Sequence, residues 1–165
     1  MTYCGVTRMR KLIVLFLFIF TASVTSTVSA EPPAGYPFQS FDKAMQQAQA
    51  ESKVLFVYFG RYGCGYCDKT NKEAFSDKAI HKAYTQNYVL AYVDAESGKR
   101  VRLPSGERIT EREVGTRYDA FVTPVFTFMT PDGKALLRLV GVQRIEDLRE
   151  ADEKIQQLLA RAGIK

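Results

Sequence analysis

Two cysteines in the stretch GRYGCGYCDK have the spacing in this sequence that points most directly to chemistry. Cys64 and Cys67 are three positions apart and follow a strongly apolar run, so they are predicted to lie where a buried strand is followed by a helix. Residues i and i+3 at the start of a helix share a face, which lets the two sulfurs bond or exchange with little backbone movement. The pair is therefore a candidate redox site.

The predicted helix start also indicates which cysteine reacts first. The first N–H groups of a helix have no partners inside it and its macrodipole is positive there, so a thiolate at Cys64 is favoured over a thiol. Cys64 is predicted to be the nucleophile and Cys67 the buried resolving thiol. Between them, Gly65 and Tyr66 keep the loop open and offer one aromatic surface to a partner.

Three other uses of a cysteine pair fit the sequence less well. A structural staple across so short a loop would contribute only on the order of 2 kcal/mol, against about 3 kcal/mol for a 15-residue loop. A closed zinc site takes four ligands, and after residue 30 the chain adds only His81 as a nitrogen donor. Covalent haem requires His directly after the second cysteine, where this chain has Asp68. We expect no metal and no cofactor, and the staple is the main alternative to redox chemistry.

Residues 1–30 are predicted to be a signal peptide. Basic residues precede an apolar run at 12–20, and a polar stretch then ends in Val28-Ser29-Ala30, whose small side chains suit a signal peptidase. An uncleaved membrane anchor is the alternative, because no charge interrupts residues 12–30. On the first interpretation Cys4 is removed with the signal, and residues 31–165 form the exported domain. Met9 is an alternative start.

The charge of that domain argues against a nucleic-acid partner. Three of the 23 basic residues precede residue 31 and all 18 acidic residues follow it, so the domain carries 20 minus 18, or +2. No basic stripe is present that would bind a phosphate backbone. Its length, 165 minus 30 or 135 residues, suits one domain able to bury a core without extra staples.

Apolar patterning predicts the elements that position the cysteines. Continuous apolar runs at 54–60 and 88–94 predict strands buried on both faces. Helical periodicity predicts a helix before the first strand, a second at 77–87 and a third at the C-terminus. Thr110 and Glu113 predict a capping box that opens a further helix.

The C-terminal half predicts a hairpin and completes the fold class. Pro131-Asp132-Gly133 is a turn sequence between two apolar runs. A βαβ half followed by a ββα half predicts an α/β fold with a central mixed β-sheet flanked by helices on both faces. The basic, turn-rich excursion at 96–110 is interpreted as a solvated hairpin, with a partner-docking loop as the alternative.

A second candidate feature is the proline at the start of the run VFTFM. Pro124 follows Thr123, and a proline at the mouth of a strand is tolerated only at an edge or in a special turn. Taken alone, it would be an ordinary strand-entry proline. A cysteine pair at the end of an earlier strand makes the combination more specific.

With these residues the sequence resembles the thioredoxin superfamily over about residues 38–162. The resemblance is carried by the stretches VLFVYFGRYGCGYCDK, FSDKAI, NYVLAYVD, VTPVFTFMTPDGK and LVG. EAFSDKAI and LPSGERITEREVGTRYDAFVTP most resemble periplasmic thioredoxin-like proteins of the SoxW type. The resemblance implies the thioredoxin fold and a periplasmic location.

The resemblance also implies an activity, a groove and partners. It implies thiol:disulfide exchange through a mixed disulfide at Cys64. Pro124 would be cis and face the cysteines, and Thr123 and Pro124 would form the groove that pairs with a substrate backbone. Gly65 and Tyr66 are further candidate substrate contacts. The expected partners are periplasmic protein thiols and disulfides, with a membrane electron donor for re-reduction, and the protein is expected to be a monomer.

Three departures from the superfamily pattern affect this interpretation. Gly63 stands where a tryptophan is usual, Tyr58 stands where thioredoxin has a buried acid, and the dipeptide Gly-Pro is Gly65-Tyr66. Proton transfer from the resolving cysteine must therefore differ. Because Gly65-Tyr66 offers no cation to stabilise a thiolate, a reductase is favoured over a strong oxidant. The alternatives are an isomerase-like or oxidase-like activity, since the cysteine motif with Thr-Pro also resembles periplasmic disulfide isomerases, and a non-catalytic binding module.

Overall fold

The structure is a computed structural model that describes residues 31–163. The predicted signal peptide and Cys4 lie outside the described residues, as do the last two positions of the predicted domain. The helices are α1 Phe41–Glu51, α2 Gly65–Glu73, α3 Lys78–Asn87, α4 Glu111–Arg117 and α5 Ile145–Arg161. The strands are β1 Leu55–Gly60, β2 Val89–Asp94, β3 Arg100–Arg102, β4 Arg108–Thr110, β5 Val125–Met129 and β6 Ala135–Val140.

A four-stranded sheet of order β2-β1-β5-β6 forms the centre of the domain. β1 is parallel to β2, whereas β5 is antiparallel to both β1 and β6. The strand β1 is buried along its whole length, as its continuous apolar sequence predicts. Because β1 and β5 run in opposite directions, the C-terminal end of β1 lies beside the N-terminal end of β5, with Phe59 opposite Val125.

Helices cover both faces of this sheet. Alternate residues of the strands point to opposite faces, so Phe56 and Tyr58 join one buried cluster while Val57 and Phe59 join the other. The first cluster includes residues of α2, α3 and α5, and the second includes residues of α1 and α4. The predicted α/β architecture, a mixed sheet flanked by helices on both faces, is confirmed.

Local signals in the sequence account for several element boundaries. The predicted capping box opens α4: Glu113 N donates to Thr110 Oγ1 over 3.2 Å, and Thr110 N donates to Glu113 Oε2 over 2.6 Å. The backbone N–H and the hydroxyl of Thr110 both donate to the Glu113 carboxylate and hold its pKa below its usual range. The predicted turn between β5 and β6 is also present, and Gly133 has a φ of +88° there, which a side chain would disfavour.

The excursion between β2 and α4 forms the two-stranded hairpin β3–β4. Val101 and Ile109 pair across it and are buried in the cluster beneath α1 and α4. Arg100, Arg102 and Arg108 are exposed. The solvated-hairpin interpretation is therefore right for one face only, because the other face closes the core.

Between residues 31 and 163, no helix is both long enough and apolar enough to cross a membrane.

Candidate redox site

The cysteines lie where β1 is followed by α2, as their sequence context predicts. Gly60 ends the strand, and a Cβ there would lie only 2.5 Å from the hydroxyl oxygen of Tyr92, so this close approach requires glycine. Cys64 is the N-cap residue of α2 and has an extended backbone. Its sulfur accepts a hydrogen bond from Cys67 N over 3.1 Å. The sulfur thus occupies the place of a capping oxygen, where the helix offers free N–H groups to negative charge.

Cys64 and Cys67 form a disulfide, with their Cα atoms 5.2 Å apart. The two residues are almost equally buried, at 5% and 6% exposure, while Tyr66 between them is 69% exposed. In this oxidised form, burial alone therefore does not distinguish the nucleophile from the resolving cysteine. The start of α2 treats the two sulfurs differently, because the first-turn N–H of Cys67 points at the sulfur of Cys64.

The loop that precedes β5 brings Thr123 and Pro124 to this disulfide. Thr123 Oγ1 donates a hydrogen bond to Cys64 Sγ over 3.3 Å, although the two residues are 59 positions apart. The Thr123–Pro124 peptide bond is cis, and the Pro124 carbonyl accepts a hydrogen bond from Gly141 N over 2.8 Å. The antiparallel pairing of β1 and β5 explains this meeting, since it places the end of one strand beside the start of the other.

Arg61 also belongs to the site, and the sequence interpretation missed it. Its Nε donates a hydrogen bond to Thr123 Oγ1 over 3.2 Å, so the guanidinium is linked to Cys64 Sγ through one hydroxyl. Its Nη1 lies 3.6 Å from Glu96 Oε1, and both side chains are about half exposed. The only signal in the sequence is a cation three residues before the first cysteine.

An exposed apolar surface, here called the rim, lies beside the disulfide and consists of Tyr66, Phe121 and Val122. These side chains line an open cavity of about 590 Å³ together with Thr123. Three charged residues, Arg61, Glu96 and Arg112, also line the cavity. Phe121 is 73% exposed, an unusual position for a phenylalanine. An exposed apolar surface next to a reactive group is typical of a binding site.

Tyr58 stands where the resemblance to thioredoxin would place a buried acid, but it does not act as a proton acceptor. The residue is fully buried, and its hydroxyl donates a hydrogen bond to Asn71 Oδ1 over 3.2 Å. Burial above all, with smaller contributions from Tyr92 and Asp68, raises the pKa of the Tyr58 phenol well above its usual range. The phenol therefore stays protonated at neutral pH and does not take a proton from Cys67.

The residues that the structure describes contain no group of three or more His, Cys, Asp or Glu side chains able to hold a metal ion. His81, the nitrogen donor considered for a zinc site, packs against Tyr36 instead. Its Nε2 lies 3.0 Å from the carbonyl oxygen of Gly35. His81 is therefore occupied in tying the N-terminal segment to α3.

The family model described as a thioredoxin-like domain matches residues 41–156. No curated protein matches the chain in sequence. A thioredoxin from Thermus thermophilus is 24% identical, with a TM-score of 0.59, over 73% of this chain and 86% of that one.

Two further solved structures are similar. A putative disulphide-isomerase from Bacteroides thetaiotaomicron is 26% identical, with a TM-score of 0.58, over 76% of this chain and 97% of that one. The C-terminal domain of DsbD from Neisseria meningitidis, in its reduced form, is 19% identical, with a TM-score of 0.53, over 68% of this chain and 90% of that one. These proteins share the fold described above.

Proposed function

This chain belongs to the thioredoxin-like domain family, and on that premise we propose that it reduces disulfides in partner proteins through the Cys64–Cys67 pair. The observation that supports this most is the disulfide itself, which lies at a helix N-terminus beneath the loop of Thr123 and Pro124. The resemblance to the thioredoxin superfamily is confirmed at the level of the family. Closeness to SoxW-type proteins is part of the proposal and is supported by the stretches quoted above.

The proposed reaction proceeds in two exchanges. In the reduced protein, the Cys64 thiolate attacks one sulfur of a substrate disulfide, forms a mixed disulfide with it and expels the other substrate sulfur as a thiolate. The Cys67 thiolate then attacks Cys64 Sγ, which re-forms the Cys64–Cys67 disulfide and releases the second substrate thiolate. The substrate gains two electrons and, from solvent, two protons, while the protein pair loses as many. An external dithiol then reduces the pair by the same steps in reverse.

Groups already in contact with Cys64 Sγ favour its thiolate. The Cys67 N–H and the Thr123 hydroxyl both donate to this sulfur in the oxidised form, and both hydrogen bonds strengthen when the sulfur becomes negative. The N-terminus of α2 adds the positive end of a helix dipole. These interactions support the assignment of Cys64 as the nucleophile.

Substrate contacts are proposed at Gly65, Tyr66, Thr123 and Pro124. Within residues 31–163 the backbone of Thr123 makes no backbone hydrogen bond, so its N–H and C=O are available to an extended substrate segment. Tyr66 is exposed beside that segment and offers apolar surface. A substrate strand pairing with Thr123 would place its disulfide near Cys64 Sγ.

The direction of electron flow and the location complete the proposal. Gly65-Tyr66 offers no cation to the thiolate, and Arg61 reaches it only through Thr123 while also facing Glu96. We therefore expect a potential nearer to the ~−270 mV of thioredoxin than to the ~−120 mV of a strong oxidase.

The protein would act as a periplasmic monomer, with a membrane electron donor for re-reduction. Intact mass of the exported protein tests the location, with Glu31 expected at its N-terminus.

Insulin reduction by the purified, pre-reduced protein tests the activity. Cys64→Ser is expected to abolish turnover, whereas Cys67→Ser is expected to accumulate mixed disulfides that mass spectrometry can identify in a periplasmic extract. A variant lacking both cysteines that still supports the cellular function would instead indicate a binding module. A potential above about −150 mV in equilibrium with glutathione would reverse the proposed direction.

Disulfide isomerisation is a second candidate, because one similar structure carries that description at 26% identity. Recovery of ribonuclease activity from a scrambled, fully oxidised ribonuclease distinguishes it from simple reduction. A reductase alone is expected to give little recovery unless an oxidant is added. Recovery that depends on Cys64 but not on Cys67 would favour isomerisation.

A further inference from the structure

We propose that Arg61 is a positioning residue that tunes the Cys64 thiolate through the hydroxyl of Thr123. The inference rests on the proposed exchange reaction at Cys64 and adds to it a residue outside the cysteine motif. Two hydrogen bonds carry it, from Arg61 Nε to Thr123 Oγ1 over 3.2 Å and from Thr123 Oγ1 to Cys64 Sγ over 3.3 Å.

Arg61 determines which way the Thr123 hydroxyl points. A threonine hydroxyl has one hydrogen and two acceptor lone pairs, and it rotates to suit its partners. Because Arg61 is purely a donor, its N–H occupies a lone pair of Thr123 Oγ1 and leaves the single hydrogen free to point at Cys64 Sγ. Without Arg61 the hydroxyl can turn away and donate to water.

Arg61 also supplies charge to this link. The guanidinium is a cation, and a hydroxyl that accepts a hydrogen bond from it becomes a stronger donor in turn. Glu96 faces the outer side of the guanidinium at 3.6 Å, and both side chains are about half exposed, so solvent weakens that ion pair. Arg112 contributes a second cation to the same cavity and donates to the backbone oxygen of Glu96 over 2.7 Å.

The consequence differs between the two redox forms of the protein. In the disulfide, Cys64 Sγ is neutral and gains little from a polarised donor. In the reduced protein the sulfur is a thiolate, and the same donor stabilises it substantially more. Arg61 should therefore lower the pKa of Cys64 and make the disulfide easier to reduce.

The first experiment compares Arg61→Gln with Lys69→Gln, which removes an equal charge from an exposed position on α2 that faces Glu73. The rate of iodoacetamide alkylation is followed against pH for each reduced protein. Arg61→Gln is expected to raise the pKa of Cys64 and lower its thiolate fraction at fixed pH about three- to tenfold. At a pH above the pKa of Cys64, where the reduced protein carries the thiolate, the glutathione equilibrium should shift towards the disulfide by a similar factor, or about 15–30 mV. Lys69→Gln should leave both values close to those of the unaltered protein.

A double-mutant cycle tests the route through Thr123. Thr123→Val removes the hydroxyl at nearly constant volume and should itself raise the pKa of Cys64. Adding Arg61→Gln in the Thr123→Val background should then produce little further change, because the linking group is already absent. If the second substitution has its full effect in that background, Arg61 acts by its field alone and the proposed link is wrong.

Two results of the alkylation experiment would overturn the inference. An unchanged alkylation profile in Arg61→Gln overturns the inference, and so does an equal shift in Lys69→Gln. If Arg61→Gln does not fold, Arg61→Lys retains the charge without the Nε donor and should give a smaller rise in pKa. None of these readouts uses a protein substrate, so failure to reduce insulin would overturn the proposed function and leave this inference to be judged separately.

Discussion

The aromatic residues of this protein fall into two regions with opposite exposure. One is a buried cluster beneath α3 and α5, where Phe56 stacks on Phe126 with ring centroids 5.9 Å apart and meets Tyr84 edge-on at 4.9 Å. The other is the rim, where Tyr66 and Phe121 are mostly exposed beside the disulfide. The same residue types therefore serve different ends in the two regions.

The buried rings should contribute to the stability of the fold, and the exposed rings should contribute to the binding of a partner. Rings in the buried cluster are packed against other side chains and no longer contact water. The free energy gained by burying them therefore already stabilises the folded state. Rings in the rim still face water, and burying them against a partner would contribute free energy to binding instead. Substitutions in the two regions should accordingly change different measurable quantities.

The largest effect is expected from truncating a buried ring. Phe126→Ala should lower the free energy of unfolding by about 3–5 kcal/mol, because it leaves a cavity in a fully buried cluster. The matched control, Phe121→Ala, makes the same chemical change in the rim and should cost less than about 0.5 kcal/mol. Denaturant unfolding of both variants measures this. Similar losses would show that the rim is part of the core.

Alkaline pH should destabilise the folded protein because its buried tyrosines resist ionisation. Burial above all raises the pKa of Tyr58 and Tyr84 above the ordinary value of 10.0. Burial is also the main cause of raised pKa values at four further tyrosines: Tyr36, Tyr88, Tyr92 and Tyr118. The folded form keeps protons on these groups that the unfolded form releases, so their contribution to stability is complete below pH 10. Above pH 10 each such tyrosine should lower the stability by about 1.4 kcal/mol per pH unit.

Tyrosinate absorbance measured beside circular dichroism tests this sign. The absorbance of the buried tyrosines should rise only together with unfolding. Tyr84→Phe should reduce the pH slope by about 1.4 kcal/mol per pH unit, since one of the tyrosines with a raised pKa is lost. Ionisation of the buried tyrosines in a protein that stays folded would contradict this burial.

A smaller effect is expected from one buried hydrogen bond. The Tyr84 hydroxyl donates to the Leu148 carbonyl over 2.8 Å and joins α3 to α5. Tyr84→Phe at neutral pH should therefore cost about 1–2 kcal/mol. Tyr62→Phe removes the same atom from an exposed side chain and should be close to neutral. Thermal or denaturant midpoints of the pair provide the measurement.

A change in free energy of similar size is expected in the rim, where it should appear in turnover and leave stability nearly unchanged. Phe121→Ala should lower kcat/KM for a protein disulfide about tenfold, or about 1.4 kcal/mol, while leaving reduction of a small-molecule disulfide unchanged. Leu158→Ala, on the exposed side of α5, is the matched control and should affect neither substrate. Equal losses with both classes of disulfide would mean that Phe121 acts on the cysteines and not on the partner.

Much of the fold could be predicted because its signals are local. The apolar runs of β1 and β2, the capping box of Thr110 and Glu113 and the turn at 131–133 each involve residues close together in the chain, and all are confirmed. The structure also places Cys64 at the N-cap of α2 as expected. The burial of Val101 and Ile109 was not predicted, because an isolated apolar residue in a basic hairpin gives no periodic signal.

The cysteine pair could likewise be predicted from local sequence, whereas its contacts with distant residues could not. Residues three apart at a helix start necessarily share a face, so a sequence of this kind defines the cysteine pair and the polarity of its helix without further information. The contacts of Arg61 and Cys64 with Thr123 span 62 and 59 positions, respectively. They exist because β1 and β5 pair antiparallel, with Phe59 opposite Val125. Strand pairing depends on how the whole core packs, so only the tertiary structure brings a cation and a hydroxyl to the sulfur of Cys64.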